Sequence, residues 1–114
     1  MSEKKKKIIE EQAALFSILG DPTRLKLLKI LSQQKEPDAL CVNALAYHLG
    51  VTQPAVSQHL KLLKNASLVK GEKRGYRVHY FVEREALDKA KKVISQTLQF
   101  TEEQLGGNNP ENQK

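Results

Sequence analysis

Residues 45–63, LAYHLGVTQPAVSQHLKLL, narrow the folds open to this chain more than any other stretch. They read as two short helices joined by a tight turn. Gly50 ends the first, because a left-handed C-terminal position is free of strain only without a Cβ. Thr52 offers a hydroxyl to cap the second, and Pro54 sits in its first turn, where no N–H is needed. At 100° per residue Val56, Leu60 and Leu63 share one face, at offsets of about 0°, 40° and −20°. Pro54, Ser57, Gln58 and Lys61 fall between about 100° and 200°, on the opposite face. That outward face is short, polar and positive, suited to base edges and phosphates in a major groove. The pattern is a helix-turn-helix.

Its charge surroundings agree. The 114 residues carry a net +6, with an isoelectric point near 9.5, which favours polyanionic partners. Residues 53–77 hold six cations (Lys61, Lys64, Lys70, Lys73, Arg74, Arg77) against Glu72 alone, whereas residues 83–104 balance four basic against five acidic side chains. Positive charge is therefore concentrated at the helix-turn-helix. The length suits one small domain or half of an obligate dimer. No apolar run approaches the ~18 residues of a membrane span, so no membrane partner is expected. The opening MSEKKKKII has a positive run but no apolar stretch before a cleavage site, unlike a secretory signal. A lone cysteine, Cys41, excludes a disulfide within the protomer and fits a reducing cytoplasm, the expected location.

Along the chain, residues 3–19 read as a helix with Ile8, Gln12, Leu15, Phe16 and Leu19 at helical spacing, ended by Gly20; the lysines at 4–7 are a solvated helix start rather than a DNA arm. Asp21 is an N-cap and Pro22 the first position of a second helix, with Leu25, Leu28 and Leu31 facing inward. Residues 33–38, broken by Pro37, read as a loop. The third helix covers 42–49 and the fourth 54–65. Two β-prone runs, 68–70 and 76–82, flank a glycine-bracketed basic turn at 71–75. Within the second, Arg77, His79 and Phe81 alternate with Val78, Tyr80 and Val82, as in a half-exposed strand. A hairpin straight after a recognition helix is the wing of a winged helix. The last helix is expected over 84–105, with Leu87, Ala90, Ile94 and Leu98 in one stripe. Both terminal helices carry more apolar surface than one small core needs. A homodimer interface through Ile8, Leu15, Leu87, Ile94 and Leu98 follows. The expected fold is thus mainly α with a two-stranded β-wing, about five helices plus a hairpin. It forms one domain over 1–104, and 105–114, with two glycines and a proline, is a disordered tail.

The strings FSILGDPTRLKLLKIL, LCVNALAYHLGVTQPAVSQHLKLLKNASLV and GEKRGYRVHYFV, spanning residues 16–82, resemble the ArsR/SmtB family of bacterial winged-helix repressors. The resemblance implies a homodimer that binds an imperfect palindrome in double-stranded DNA and is released by an inducer. It also implies where metals would bind, and there this chain departs. Metal-sensing members carry a third-helix box like ELCVCDL. The same positions here read Ala39, Leu40, Cys41, Val42, Asn43, Ala44 and Leu45, with one thiolate and both flanking acids gone. No Cys or His precedes Cys41, and the final helix, the other family site, holds no histidine. A soft-metal site needs three or four ligands. No metal site, no cofactor and no metal response are expected, and the residues do not specify the inducer.

The candidate DNA contacts are Thr52, Gln53, Pro54, Ser57, Gln58, His59 and Lys61 on the helix-turn-helix, with Lys73, Arg74 and Arg77 on the wing. Mid-helix Ser57 competes with its own backbone, so helix stability does not ask for it. Gln58 has the amide geometry for adenine N6 and N7, and Gln53 reaches a base or phosphate from the helix start. Lys61 and Thr52 suit phosphates. His59, at about −60°, reads as a partly buried orienting or phosphate-bonding group. Lys73 and Arg74 suit flanking phosphates or the minor groove rather than a merely solvated turn. His48, His59 and His79 lie on three elements with no ligand spacing; His79 is expected to be exposed. Cys41 reads as a small buried hydrophobe, with a redox switch as the alternative.

The expected function is sequence-specific DNA-binding transcriptional regulation by a homodimeric repressor. No Gly-rich phosphate loop, nucleophile–base pair or paired carboxylates argue for an enzyme. The competing classes are a winged-helix protein-interaction module, a sequence-indifferent DNA binder, and a regulator switched by oxidation of Cys41.

Overall fold

In the computed structural model, which describes residues 1–34 and 40–99, Ser2 Oγ accepts the Lys5 N–H at 3.2 Å and starts α1, Glu3–Leu19. Asp21 Oδ2 likewise accepts the Arg24 N–H at 3.0 Å and, with Pro22 in the first turn, starts α2, Pro22–Gln33. A two-residue strand β1, Leu40–Cys41, leads directly into α3, Val42–Leu49, followed by α4, Gln53–Asn65. The hairpin β2, Val69–Arg74, and β3, Arg77–Val82, precedes α5, Arg84–Thr97. The sheet is antiparallel with order β1-β3-β2.

Leu27, Leu31, Leu45, Val56, Leu60, Leu63 and Leu68 are the fully buried side chains, so the core lies between α2, α3, α4 and the start of β2. From α5, Ala90 closes it, while Leu15, Ile18 and Leu19 of α1 pack on its edge. Each buried leucine of this kind contributes about 1.5–3 kcal/mol. No residue of α1 is buried, and Ile8 remains 45% exposed.

Several sequence expectations need correction. Leu25 does not face inward; it is 42% exposed, and Leu27, at 0%, takes its place. Leu25 stands about 110° from the centre of the face that Leu27, Leu28 and Leu31 share. Gln33 belongs to α2 rather than to a loop, Gln34 is its C-cap, and residues 35–38 of that expected loop lie outside the described residues. The final helix ends at Thr97, whose hydroxyl donates to the Val93 carbonyl at 2.6 Å, so Leu98 is a C-cap, not a helical stripe position. The expected tail lies outside the described residues.

The sheet departs most. β1 was not anticipated, because two residues are too few for a periodicity. It is secured by Gln34, whose Oε1 accepts the Leu40 N–H at 2.9 Å while its amide donates to the Tyr80 carbonyl. β3 is consequently the central strand, and its alternation is blurred: Arg77 and Val78 are both exposed, and residues 79–82 all half-buried. Residues 71–74 are strand, not turn. The hairpin turns on two residues, Gly75 (φ +66°) and Tyr76, between the paired Arg74 and Arg77. A glycine first in a two-residue hairpin loop supplies the positive φ that matches the strand twist.

Candidate nucleic-acid interface

Between α3 and α4 the chain turns on Gly50, at φ +65°, ψ 32°. The Gly50 N–H reaches the Tyr47 carbonyl at 3.3 Å and the Val51 N–H the Ala46 carbonyl at 3.2 Å, closing a Schellman turn. Thr52 Oγ1 then accepts the Ala55 N–H at 3.2 Å. These two caps fix the angle between α3 and α4. With Val56, Leu60 and Leu63 locked in the core, α4 has one rotational setting.

In that setting Thr52, Gln53, Pro54, Ser57, Gln58 and Lys61 are all exposed. Lys64 is exposed too, and continues the Ser57–Lys61 stripe one turn further. His59 sits beside the buried face as expected, its side chain 22% exposed. Its Nδ1 lies 3.3 Å from a terminal nitrogen of Arg24 and 3.7 Å from Asp21 Oδ2. The Arg24 N–H, with smaller contributions from the His59 and Arg24 charges, holds the Asp21 carboxyl below its ordinary pKa.

The wing offers Lys73 and Arg77 as exposed cations. Arg74 is engaged within the hairpin: its guanidinium lies 4.8 Å from the Phe81 ring centroid and 3.4 Å from Glu72 Oε2. His79 is half-buried, not exposed, and its Nδ1 is shut off from solvent without a hydrogen-bond partner among the described residues. The unanticipated β1 explains this, since Cys41 pairs with His79 across the ladder.

Cys41 is half-buried and serves as the N-cap residue of α3, although its sulfur closes no capping hydrogen bond. The first-turn N–H of Ala44, then that of Asn43 and the charge of Arg77, pull its thiol pKa down against the opposing effect of burial.

Two exposed aromatics escaped the sequence reading. Tyr47 on α3 is 86% exposed, and Tyr76 at the hairpin tip is fully exposed. Their signal was available: the Leu45–Ala46 face of α3 leaves Tyr47 outward, and a two-residue turn displays whatever follows its glycine. Arg24 was also passed over, its role being tertiary and invisible to local pattern.

Residues 21–70 match the family described as bacterial regulatory protein, arsR family. The chain is similar to an uncharacterized HTH-type transcriptional regulator of Methanocaldococcus jannaschii, 38% identical over 75% of this chain and 89% of that one. To the arsenical resistance operon repressor of Escherichia coli it is 36% identical, over 80% of this chain and 75% of the other. Among solved structures, the winged helix-turn-helix DNA-binding domain of a possible ArsR-family regulator from Mycobacterium bovis, described as homodimeric, superposes with a TM-score of 0.65. That likeness is at 23% identity and covers 85% of this chain and 87% of that one, a likeness of fold.

Proposed function

The chain belongs to the ArsR family of bacterial regulatory proteins, and we propose that within it this DNA-binding transcriptional regulator acts as a homodimeric repressor of a palindromic site. The observation that carries the reading is the outer face of α4. Six capped, exposed polar or small side chains stand there on a helix whose inner face is wholly buried. A protein-docking face would centre on an aromatic or leucine anchor, and this one has none.

In the proposed complex α4 lies in the major groove, with Ser57 and Gln58 toward base edges. Gln53, Lys61, Lys64 and the amino end of α4 meet phosphates. Tyr47 donates its hydroxyl to the backbone that α3 crosses, and Lys73, Tyr76 and Arg77 flank the site from the wing. A second copy packs against the apolar surface left open on α1, on α5 and at the α5 C-cap, at Ile8, Leu15, Leu87, Ile94 and Leu98, of which Ile8 and Leu98 are 45% and 63% exposed. This sets two recognition helices about 34–36 Å apart, one turn of DNA. A cytoplasmic location accords with the role; among the described residues no helix is long and apolar enough to cross a membrane.

The metal sites that the family resemblance implies do not fit the residues present. At the third-helix site the donor set is one thiol, Cys41, already facing the N–H groups of α3, and α5 supplies no imidazole. The inducer is therefore proposed to be something other than a metal ion. The lowered Cys41 thiol favours, as a second reading, oxidation of that residue as the inducing event.

Fluorescence anisotropy tests the reading, using duplex from upstream of the protein's own gene and a scrambled duplex at several salt concentrations. A preference of ~10³ or more is expected for the specific duplex. With roughly six to ten phosphate contacts, binding should weaken by ~10³–10⁵ between about 50 and 200 mM salt. Equal binding to both duplexes would reassign the protein to sequence-indifferent binding, and no binding at low salt would remove DNA as its partner. Within the complex, Gln58→Ala should relax sequence choice at one position, by about 1–3 kcal/mol.

A further inference from the structure

Side chains from two helices and the cap between them meet where α1 gives way to α2. Arg24 Nε donates to the Ile18 carbonyl at 2.6 Å, and one terminal nitrogen donates to the Ser17 carbonyl at 3.1 Å. Both carbonyls belong to the last turn of α1, where intrahelical donors run out. The other terminal nitrogen lies 3.3 Å from His59 Nδ1, on α4. One planar fork thus caps the first helix and holds an imidazole on the recognition helix.

The chemistry of the fork dictates the state of the ring. A guanidinium has donors only, so the contact is a hydrogen bond in the form whose Nδ1 accepts, and the proton of that neutral imidazole resides on Nε2. Asp21 Oδ2 is the more distant neighbour of Nδ1. It stands 3.7 Å away, outside hydrogen-bonding distance, and already accepts the Arg24 N–H at 3.0 Å. His59 Nε2 has no hydrogen-bond partner among the described residues, and it is not among the buried atoms that lack one. In that form Nε2 is a donor, on a side chain 22% exposed beside the outer face of α4.

We infer that Arg24 is a positioning residue for DNA binding, fixing His59 as the Nε2–H tautomer so that this N–H donates to a backbone phosphate beside the bases that α4 reads. The inference rests on the assignment of α4 as the recognition helix. It gives the DPTR sequence a purpose beyond capping: the aspartate starts α2, and the arginine aims a phosphate donor on a helix 35 residues away. Since the same fork caps α1, the donor is aimed only while α1 and α2 meet at this angle.

Two substitutions at His59 separate the two ring nitrogens. Asparagine places an acceptor near the Nδ1 position and nothing at Nε2, whereas glutamine extends an amide N–H toward the Nε2 position. Binding is measured by anisotropy on a duplex selected from a random pool, beside a scrambled duplex, and folding by thermal melting. His59→Asn should melt like the wild type yet bind the selected duplex about tenfold or more weaker, the loss of one hydrogen bond to a charged group. His59→Gln should keep the wild-type affinity. Arg24→Ala should cost about tenfold in the wild type and little in the His59→Gln background, which no longer needs an aimed ring. Long-range ¹H–¹⁵N spectra of the neutral ring should show the Nε2–H form in the wild type and a mixture in Arg24→Ala. Wild-type affinity in His59→Asn, or an Nδ1–H ring in the wild type, overturns the inference while leaving the DNA reading in place. Failure of the wild type to prefer the selected duplex overturns both.

Discussion

The Arg74 guanidinium lies over Phe81, 4.8 Å from the ring centroid, on the face of the hairpin where Glu72 also reaches it at 3.4 Å. The wing therefore divides its cations between two tasks. Arg74 braces the hairpin, and Lys73 and Arg77 stand in solvent on either side of the turn.

Lys73→Ala and Arg77→Ala should each shallow the slope of log K against log salt by about 0.9, with sequence preference unchanged. Arg74→Ala should shallow it less and also lower Tm, since a cation–π contact at a partly exposed site contributes about 0.5–1 kcal/mol. Anisotropy titrations across a salt series, with melting curves on the same samples, separate the two. If Arg74→Ala gave the largest change in slope and no change in Tm, the bracing role would be wrong.

Ser67 is the only non-glycine described residue with positive φ, at 63°. It occupies the left-handed position of a second Schellman turn, in which Ser67 N–H meets the Lys64 carbonyl at 2.9 Å and Leu68 N–H the Leu63 carbonyl at 3.0 Å. A Cβ there costs about 1–2 kcal/mol, partly offset by the looser unfolded chain that glycine brings. Ser67→Gly should thus raise Tm by a few degrees at fixed protein concentration, with DNA affinity unaltered. A lower Tm would show that the serine hydroxyl compensates its backbone.

Gly71 pairs with Tyr80 across the ladder, and a Cβ on it would lie 2.8 Å from Val78 Cγ1 and 3.2 Å from Tyr80 Cε1. Gly71→Val should overpack this spot, costing about 1–3 kcal/mol. The loss should appear first as faster amide exchange in β2 and β3. Unchanged exchange there would mean that the two neighbouring side chains swing aside freely.

Cys41 should alkylate with a pH profile whose midpoint lies below that of a free cysteine peptide, because the Ala44 N–H, aided by Asn43 and Arg77, favours the thiolate. Arg77→Ala should move the midpoint up only in part, since the N–H groups remain. Iodoacetamide rates across a pH series provide the check; a midpoint at or above the peptide value contradicts it.

Acid should expose the Asp21 contribution. Its native pKa is depressed below 3.8, so between the native and unfolded values the unfolded chain binds more protons, and stability rises with pH. The contribution is complete above the unfolded value and is lost as pH falls through the native one. Asp21→Asn, which can still cap α2, should flatten that acid limb in melts between about pH 2 and 5. An identical acid limb in both proteins would remove Asp21 from the account.

Local rules carried much of this fold into view. Gly50, Thr52, Pro54 and the Val56–Leu60–Leu63 face are set by neighbours within a few residues, and the helix-turn-helix was legible from them. The exposed face of α4 followed by subtraction. What escaped depended on distant partners. β1 exists because Gln34 and β3 complete its hydrogen bonds, and two residues cannot announce a period. His79 carries no local sign of burial because the strand beside it, β1, is too short to show a period, and the spacing of Leu25 fits a face nearly as well as that of Leu27. Arg74 gives no local sign of its contact with Phe81, a partner on the opposite strand. Arg24 showed nothing locally, since its carbonyl acceptors precede it and its imidazole partner follows 35 residues on.

The short strand that precedes α3 has a last consequence. With Leu40 and Cys41 hydrogen-bonded to β3 and the chain passing without a break into α3, the hairpin and the helix pair are welded into one jaw. Such a jaw works as a caliper with a single gap. In the proposed complex it would resist spreading to suit a longer interval between the bases under α4 and the phosphates under the wing. If α4 and the wing dock as proposed, misfit would fall to the duplex, and half-sites of fixed internal length, on DNA that bends readily at their edges, would suit this molecule best.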